Sequence, residues 1–249
     1  MNKTDTSPVV SVAHKGTATW LCLNRPDRLN AVNADMVEAL IDGIDTAVQH
    51  GSSLIIFAGN SRAFSAGFDL SGLDQQSDAD LLYRFVRVEQ LLQKIYQLPV
   101  TSLALVQGRC FGAAADIVAA CRHRIATPDA SFRMPGLQFG IVLGTRRLSR
   151  LIGSDAALGL LETSAVFTAK HALDCGFLNG IEDMDNWPDL TQNIAHNAAN
   201  LAPEAKAALL AASRDDSGLD SDLAALVRSA ATPGLVNNIR NFVAKQVKK

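Results

Sequence analysis

At 249 residues, 48% of them hydrophobic, the chain is long enough for one large domain, or a domain with a small C-terminal appendage. The net charge of −2 comes from interspersed Lys, Arg, Asp and Glu, with no basic block or basic-aromatic stripe to track a nucleic acid. No stretch approaches the ~20 apolar residues of a membrane span, so no membrane partner is expected.

The opening Met-Asn-Lys-Thr-Asp-Thr-Ser-Pro has no apolar signal core behind it. Cys22, Cys110, Cys121 and Cys175 form no C-x-x-C pair and sit in apolar stretches, the pattern of buried reduced thiols in a cytoplasmic protein. Lys245, Lys248 and Lys249 read as a solvated tail.

In chain order, Val9–Val12 and Thr17–Leu23 predict two strands joined at Lys15-Gly16. Asn33 can cap a helix whose apolar face is Val37, Leu40, Ile41, Ile44 and Val48, and Gly51 ends it. Leu54–Ala58 is a continuous apolar run, as in a strand buried on both faces. Ser71–Asp80 is polar and predicted mobile. Leu81–Leu98 has helical spacing through Leu81, Phe85, Val88, Leu92 and Ile95, stopped by Pro99.

Val100–Val106 predicts a second buried strand, Gly112–Ala120 an apolar helix and Arg124–Ala126 a short strand. Gly136–Gly153 reads as a loop with short helical pieces, and the chain from Ser154 as helices alone, broken near Asn179–Pro188. Alternating strands and helices followed by helices favour an α/β fold with residues 1–185 as core domain and 186–249 as a helical C-terminal region.

Two glycine-containing turns follow the buried strands, Ala63–Leu70 and Gly108–Asp116. Small residues there let a ligand approach the main chain, and N–H groups at a helix start lack partners. Two such donors converging on one carbonyl oxygen would make an oxyanion hole, each worth ~3 kcal/mol in the transition state. Taken singly, either turn also fits ordinary tight packing.

The order of several segments resembles the crotonase (enoyl-CoA hydratase/isomerase) superfamily. Leu23-Asn24-Arg25-Pro26-Asp27-Arg28-Leu29-Asn30-Ala31 is similar to its L-N-R-P-x-x-x-N-A segment, and Phe64–Leu70 to its F-S-A-G-x-D-L segment. Gly108–Asp116 resembles G-x-x-x-G-G-G-x-E/D, and Thr168–Phe177 resembles T-A-x-x-A-x-x-x-G-L. The resemblance implies an α/β crotonase-like spiral of ββα turns with a helical C-terminal region. It also implies an acyl-CoA thioester substrate and a homotrimer or homohexamer. Coenzyme A would enter as the substrate's carrier, with no other cofactor expected.

By that resemblance the N–H groups of Phe68 and Ala113 are the oxyanion donors and Asp116 is the acid/base residue. Ala63, Ala66, Asp69 and Leu70 would line the path of adenine and pantetheine. Arg28, Leu29 and Ala31 would follow the nucleotide, with Arg28 near phosphate; an exposed turn residue is the other reading of Arg28. Phe242 and Lys245 could match the family's C-terminal contacts to coenzyme A.

The sequence departs from the family in two places. Ala113 and Ala114 replace glycines, which keeps a main-chain donor if φ is negative. The second catalytic glutamate of the hydratases falls at Gly136, and no Asp or Glu occurs from Ala130 through Ser154. Glu89 and Gln138 are the candidate substitutes, with a solvated helix position the alternative for Glu89. Asp116 could instead cap a helix or pair with Arg122 or Arg124. His14, His50, His123, His171 and His196 match no acid/base position, and their spacing does not suggest a metal site.

One carboxylate suffices to shuttle a proton in double-bond isomerisation. Thus the sequence predicts an enzyme of the enoyl-CoA hydratase/isomerase type. Decarboxylation, thioester hydrolysis and a non-catalytic acyl-CoA-binding paralogue are the alternatives.

Overall fold

Lys15-Gly16 turns the chain between β1 (Val10–Lys15) and β2 (Ala18–Leu23), which pair antiparallel as the sequence predicts. The computed structural model describes residues 7–247, so the readings of Met1–Thr6, Lys248 and Lys249 lie outside the described residues. Asn33 caps α1 (Ala34–Gln49), its side chain accepting the N–H of Met36 at 3.0 Å.

The middle of the chain repeats one unit. β3 (Leu54–Gly59) and β4 (Ala63–Ser65) lead to α2 (Asp78–Tyr96). Next, β5 (Thr101–Val106) and β6 (Arg109–Phe111) lead to α3 (Ala113–Ala120). Then β7 (His123–Ala126) and β8 (Ser131–Arg133) lead, through a 3-10 turn at Gly136–Phe139, to α4 (Thr145–Ile152). The remainder is α5 (Ser154–Thr163), β9 (Phe167–Thr168), α6 (Ala169–Asp174), β10 (Gly180–Ile181) and α7 (Trp187–Ala199). It ends with α8 (Pro203–Ser213), α9 (Leu219–Ala230) and α10 (Leu235–Val247).

In each ββα turn the first strand joins a large sheet and the second a small one. Among the described residues the large sheet runs β1-β2-β3-β5-β7-β10 and the small one β4-β6-β8-β9. The large sheet is covered on both faces. Ile55 and Phe57 of β3 pack with the α1–α3 core, while Leu54, Ile56 and Ala58 pack towards Trp187 and Ala198 of α7. The two-residue alternation of a strand thus explains why Leu54–Ala58 has no polar member.

Three expectations need correction. β4 and β6 of the small sheet lie inside what reads as glycine turns, and β8 in a stretch where no element is predicted. Below Ser154 the chain is not helical alone, because β9 and β10 close the edges of the two sheets. Ser71–Asp80 is a built segment: Leu73 is buried, and Ser77 and Asp80 form a capping box for α2. Asp78 there accepts the N–H groups of Gly234 and Val236 at 2.7 and 2.8 Å, anchoring the start of α10. All four cysteines are free, Cys110 and Cys121 fully buried.

Candidate active site

Main-chain contacts tie the first glycine turn to segment 25–32. Val32 N–H donates to Gly67 O (2.8 Å), Asp69 N–H to Val32 O (2.9 Å) and Ala66 N–H to Leu29 O (2.8 Å). The buried Asn30 amide donates to Ala63 O and Phe64 O. Segment 25–32 is therefore a splint along the free edge of β4, which explains its asparagine. Arg25 completes it with an ion pair to Asp69 at 2.8 Å.

Gly67 lies at φ +93, and a Cβ there would come within 2.3 Å of Phe111 O. Only glycine lets the turn after β4 seat against the turn after β6. That contact brings Phe68 alongside Gly112 and Ala113. Among the described residues, the N–H groups of Phe68 and Ala113 have no main-chain acceptor. Ala113 is the first residue of α3, where N–H groups have no intrahelical partner. The Phe68 ring is clamped between the Arg84 guanidinium (4.1 Å) and the Phe85 ring (4.2 Å), which fixes the peptide that carries its N–H.

Asp116 sits one turn into α3, 5% exposed, with no hydrogen-bond partner for Oδ1. Burial pushes its carboxyl up to about 8; Arg147 opposes that rise and Glu89 adds to it. Burial thus favours its neutral, protonated form. Neither Arg122 nor Arg124 pairs with it, since the Arg124 guanidinium donates to the carbonyls of Phe177, Cys121 and Arg122. Gly144, at φ +67, borders the carboxyl: a Cβ there would fall 1.9 Å from Oδ1.

Glu89 is not solvated as its helix position suggested. It is 1% exposed and bound in two-pronged fashion by Arg147, with Nη1 3.0 Å from Oε1 and Nη2 against Oε2. Asp222 of α9 approaches the same Arg147 at 3.5 Å. Gln138 is exposed and turned towards Glu162 O. Gly136 faces the site without a side chain, so neither candidate supplies a second acid there.

A cavity of about 710 Å³ gathers these parts. Ala66, Phe68, Leu70, Ala113 and Asp116 all line it, with Phe85, Phe139, Ile141 and Leu143 as apolar wall and Phe242 and Gln246 of α10 as cover. The other sequence candidates lie outside that lining. Ala63 is buried in β4, Asp69 is engaged by Arg25 and by Ser71 N–H, and Leu29 and Ala31 belong to the splint. Arg28 and Lys245 are exposed. Sequence reasoning missed Arg84, Arg109, Arg133 and Arg147; Arg84 and Arg147 act from distant elements, and no local pattern marks them. Among the described residues no group of three His, Cys, Asp or Glu gathers to hold a metal, and no helix is long and apolar enough to cross a membrane.

The family model described as "Enoyl-CoA hydratase/isomerase" matches residues 14–228. A solved enoyl-CoA hydratase/isomerase-type protein of Bordetella parapertussis superposes with a TM-score of 0.93 at 45% identity, covering 96% of this chain and 99% of its own. The "Probable enoyl-CoA hydratase" of Bacillus subtilis is 32% identical over 209 residues, 81% of this chain and 80% of the relative. The "Ethylmalonyl-CoA decarboxylase" of Xenopus tropicalis is 30% identical over 167 residues, 65% of this chain and 56% of that protein.

Proposed function

We propose, since the chain belongs to the enoyl-CoA hydratase/isomerase family, that it binds an acyl-CoA thioester and stabilises its enolate between the N–H groups of Phe68 and Ala113. Asp116 is then the one carboxyl that moves a proton. The observation that carries this reading is the meeting of two unpaired main-chain donors and one unpaired buried carboxyl in a single cavity. Negative charge developing on the thioester oxygen needs fixed dipoles in a dry site, and the start of α3 supplies them.

Gly136 decides between reactions. Adding water across a double bond calls for one group to activate water and another to protonate the α-carbon, and the cavity has one carboxyl. A 1,3-proton shift needs only one. Ionised Asp116 takes a proton from one carbon, the electron pair moves into the enolate, and the same carboxyl returns the proton two carbons away.

A second reading is favoured by the burial of Asp116, which raises its carboxyl to about 8 and so favours the protonated form. In a decarboxylation the breaking C–C bond supplies the electrons of the enolate, carbon dioxide leaves, and protonated Asp116 delivers its proton to the α-carbon. The similarity to an ethylmalonyl-CoA decarboxylase supports including it. From the family resemblance alone, the protein is further proposed to be a cytoplasmic homotrimer or homohexamer.

Double-bond absorbance, carbon dioxide and free coenzyme A, followed together on enoyl-, dienoyl- and malonyl-type thioesters, test the proposal. Isomerisation predicts a rate that rises as pH passes about 8; proton delivery after decarboxylation predicts one that falls there. Tight acyl-CoA binding without turnover would leave a binding paralogue. No binding would refute the reading.

A further inference from the structure

Besides Asp116, the charged residues lining the cavity are two arginines, Arg109 on β6 and Arg133 on β8. These strands run parallel, with Arg109 opposite Ser131 and Phe111 opposite Arg133. Cys110 and Phe132 between them are fully buried. By the alternation of a strand, Arg109, Phe111, Ser131 and Arg133 therefore share the other face, and all four line the cavity.

Neither guanidinium has an acidic partner among the described residues. Arg109 stacks on the Phe111 ring at 5.2 Å. Arg133 donates from Nε to Ser164 O (2.9 Å) and from Nη1 to Gln246 Oε1 (3.0 Å), and lies over the Phe242 ring. These contacts hold Arg133 in place without neutralising it. Arg25, Arg87, Arg146 and Arg147 contrast with both, each meeting a carboxylate.

The exposed Arg109 and the half-buried Arg133 thus give the cavity a cationic side in a protein whose net charge is −2. A neutral acyl chain offers these groups nothing, whereas a carboxylate matches the guanidinium fork. We propose that Arg109 and Arg133 recognise a carboxylate on the acyl group, so that the substrates are thioesters of dicarboxylic acids. This inference rests on the acyl-CoA reading above and adds the class of acyl group. The carboxylate is a recognition handle here, whatever bond the reaction breaks.

Anionic oxygens also occur in the phosphates of coenzyme A, so the test uses two carriers. Dissociation constants are measured by calorimetry for succinyl and butyryl thioesters, each on coenzyme A and on N-acetylcysteamine, which has no phosphate. The proposal expects the succinyl member to bind at least about tenfold more tightly on both carriers. It expects that preference to shrink to within about twofold in Arg109→Gln/Arg133→Gln. Arg109→Gln alone, which removes no hydrogen bond seen in the structure, should lower it part of the way, and Arg109→Lys should restore some.

No preference in the unmodified protein, or a preference that survives the double variant, overturns the inference. Equal weakening of both coenzyme A thioesters with the phosphate-free pair unaffected would assign the arginines to phosphate and overturn it too. Failure to bind any thioester, by contrast, removes the acyl-CoA reading and this inference together.

Discussion

Glu89 and Asp116 are both carboxyls shut away from solvent, on the neighbouring helices α2 and α3, and their surroundings give them opposite characters. Glu89 is gripped by Arg147 through two hydrogen bonds and so joins α2 to α4. Asp116 has no partner for Oδ1, and burial without a partner favours its neutral form. Burial alone therefore does not mark a reactive carboxyl. A paired one is scaffold; an unpaired one that lines a cavity is available for chemistry.

The largest expected effect falls on the unpaired carboxyl. Asp116→Asn should lower kcat by ~10²–10⁴ while acyl-CoA still binds in calorimetry. Breaking the paired carboxyl should instead cost stability. Arg147→Met leaves the buried Glu89 without a countercharge and with the Gln93 amide as its remaining donor, and denaturant unfolding should show a loss of ~3–5 kcal/mol. Replacing both partners, in Arg147→Met/Glu89→Leu, should recover most of that; no recovery would mean that Arg147 stabilises by other contacts.

The pH dependence of stability sharpens the contrast. The folded protein holds the Asp116 proton up to about 8, whereas the unfolded chain releases it near the ordinary value of 3.8. Stability from this group is complete below pH ~4 and is lost as pH rises through about 8. Asp116→Asn removes that slope, so its gain over the unmodified protein should grow by roughly 3 kcal/mol from pH 5 to pH 8. A constant difference would contradict the assignment.

The smallest effect separates the two charges beside Asp116. Glu89→Gln removes a negative neighbour and should move the pH-rate limb of Asp116 down; Arg147→Gln removes a positive one and should move it up. Shifts in the same direction would show that the pair acts on the fold alone. Cys110 on β6 also feels Asp116, and Arg146 on α4 is occupied by Asp222.

Much of this fold is legible in the sequence because the information is local. Leu54–Ala58 contains only apolar residues, since both faces of β3 are covered. Asn33 and Pro99 bound their helices by their own chemistry. The strands β4, β6 and β8 are three residues long, too short for a period of two to register. They therefore read as turns or as no element at all, and the second sheet is invisible. At the site, Asp116 and the two donors follow from family motifs, but the role of Glu89 depends on Arg147, 58 residues away. One local signal points to its burial: Glu89 lies four residues after Phe85 and three before Leu92, on the apolar face of α2. The arginines of the cavity give no such signal, because the strands that align them cannot be read.

The most direct test is the protonation state of Asp116 itself, read from the infrared C=O stretch of a protonated carboxyl, taken as the difference between the protein and Asp116→Asn. This band should be present at pH 7 and fade as pH rises through about 8. Absence of the band at pH 6 to 7 would mean that Asp116 is an ion like Glu89, and would contradict the claim that it is the site's one available acid.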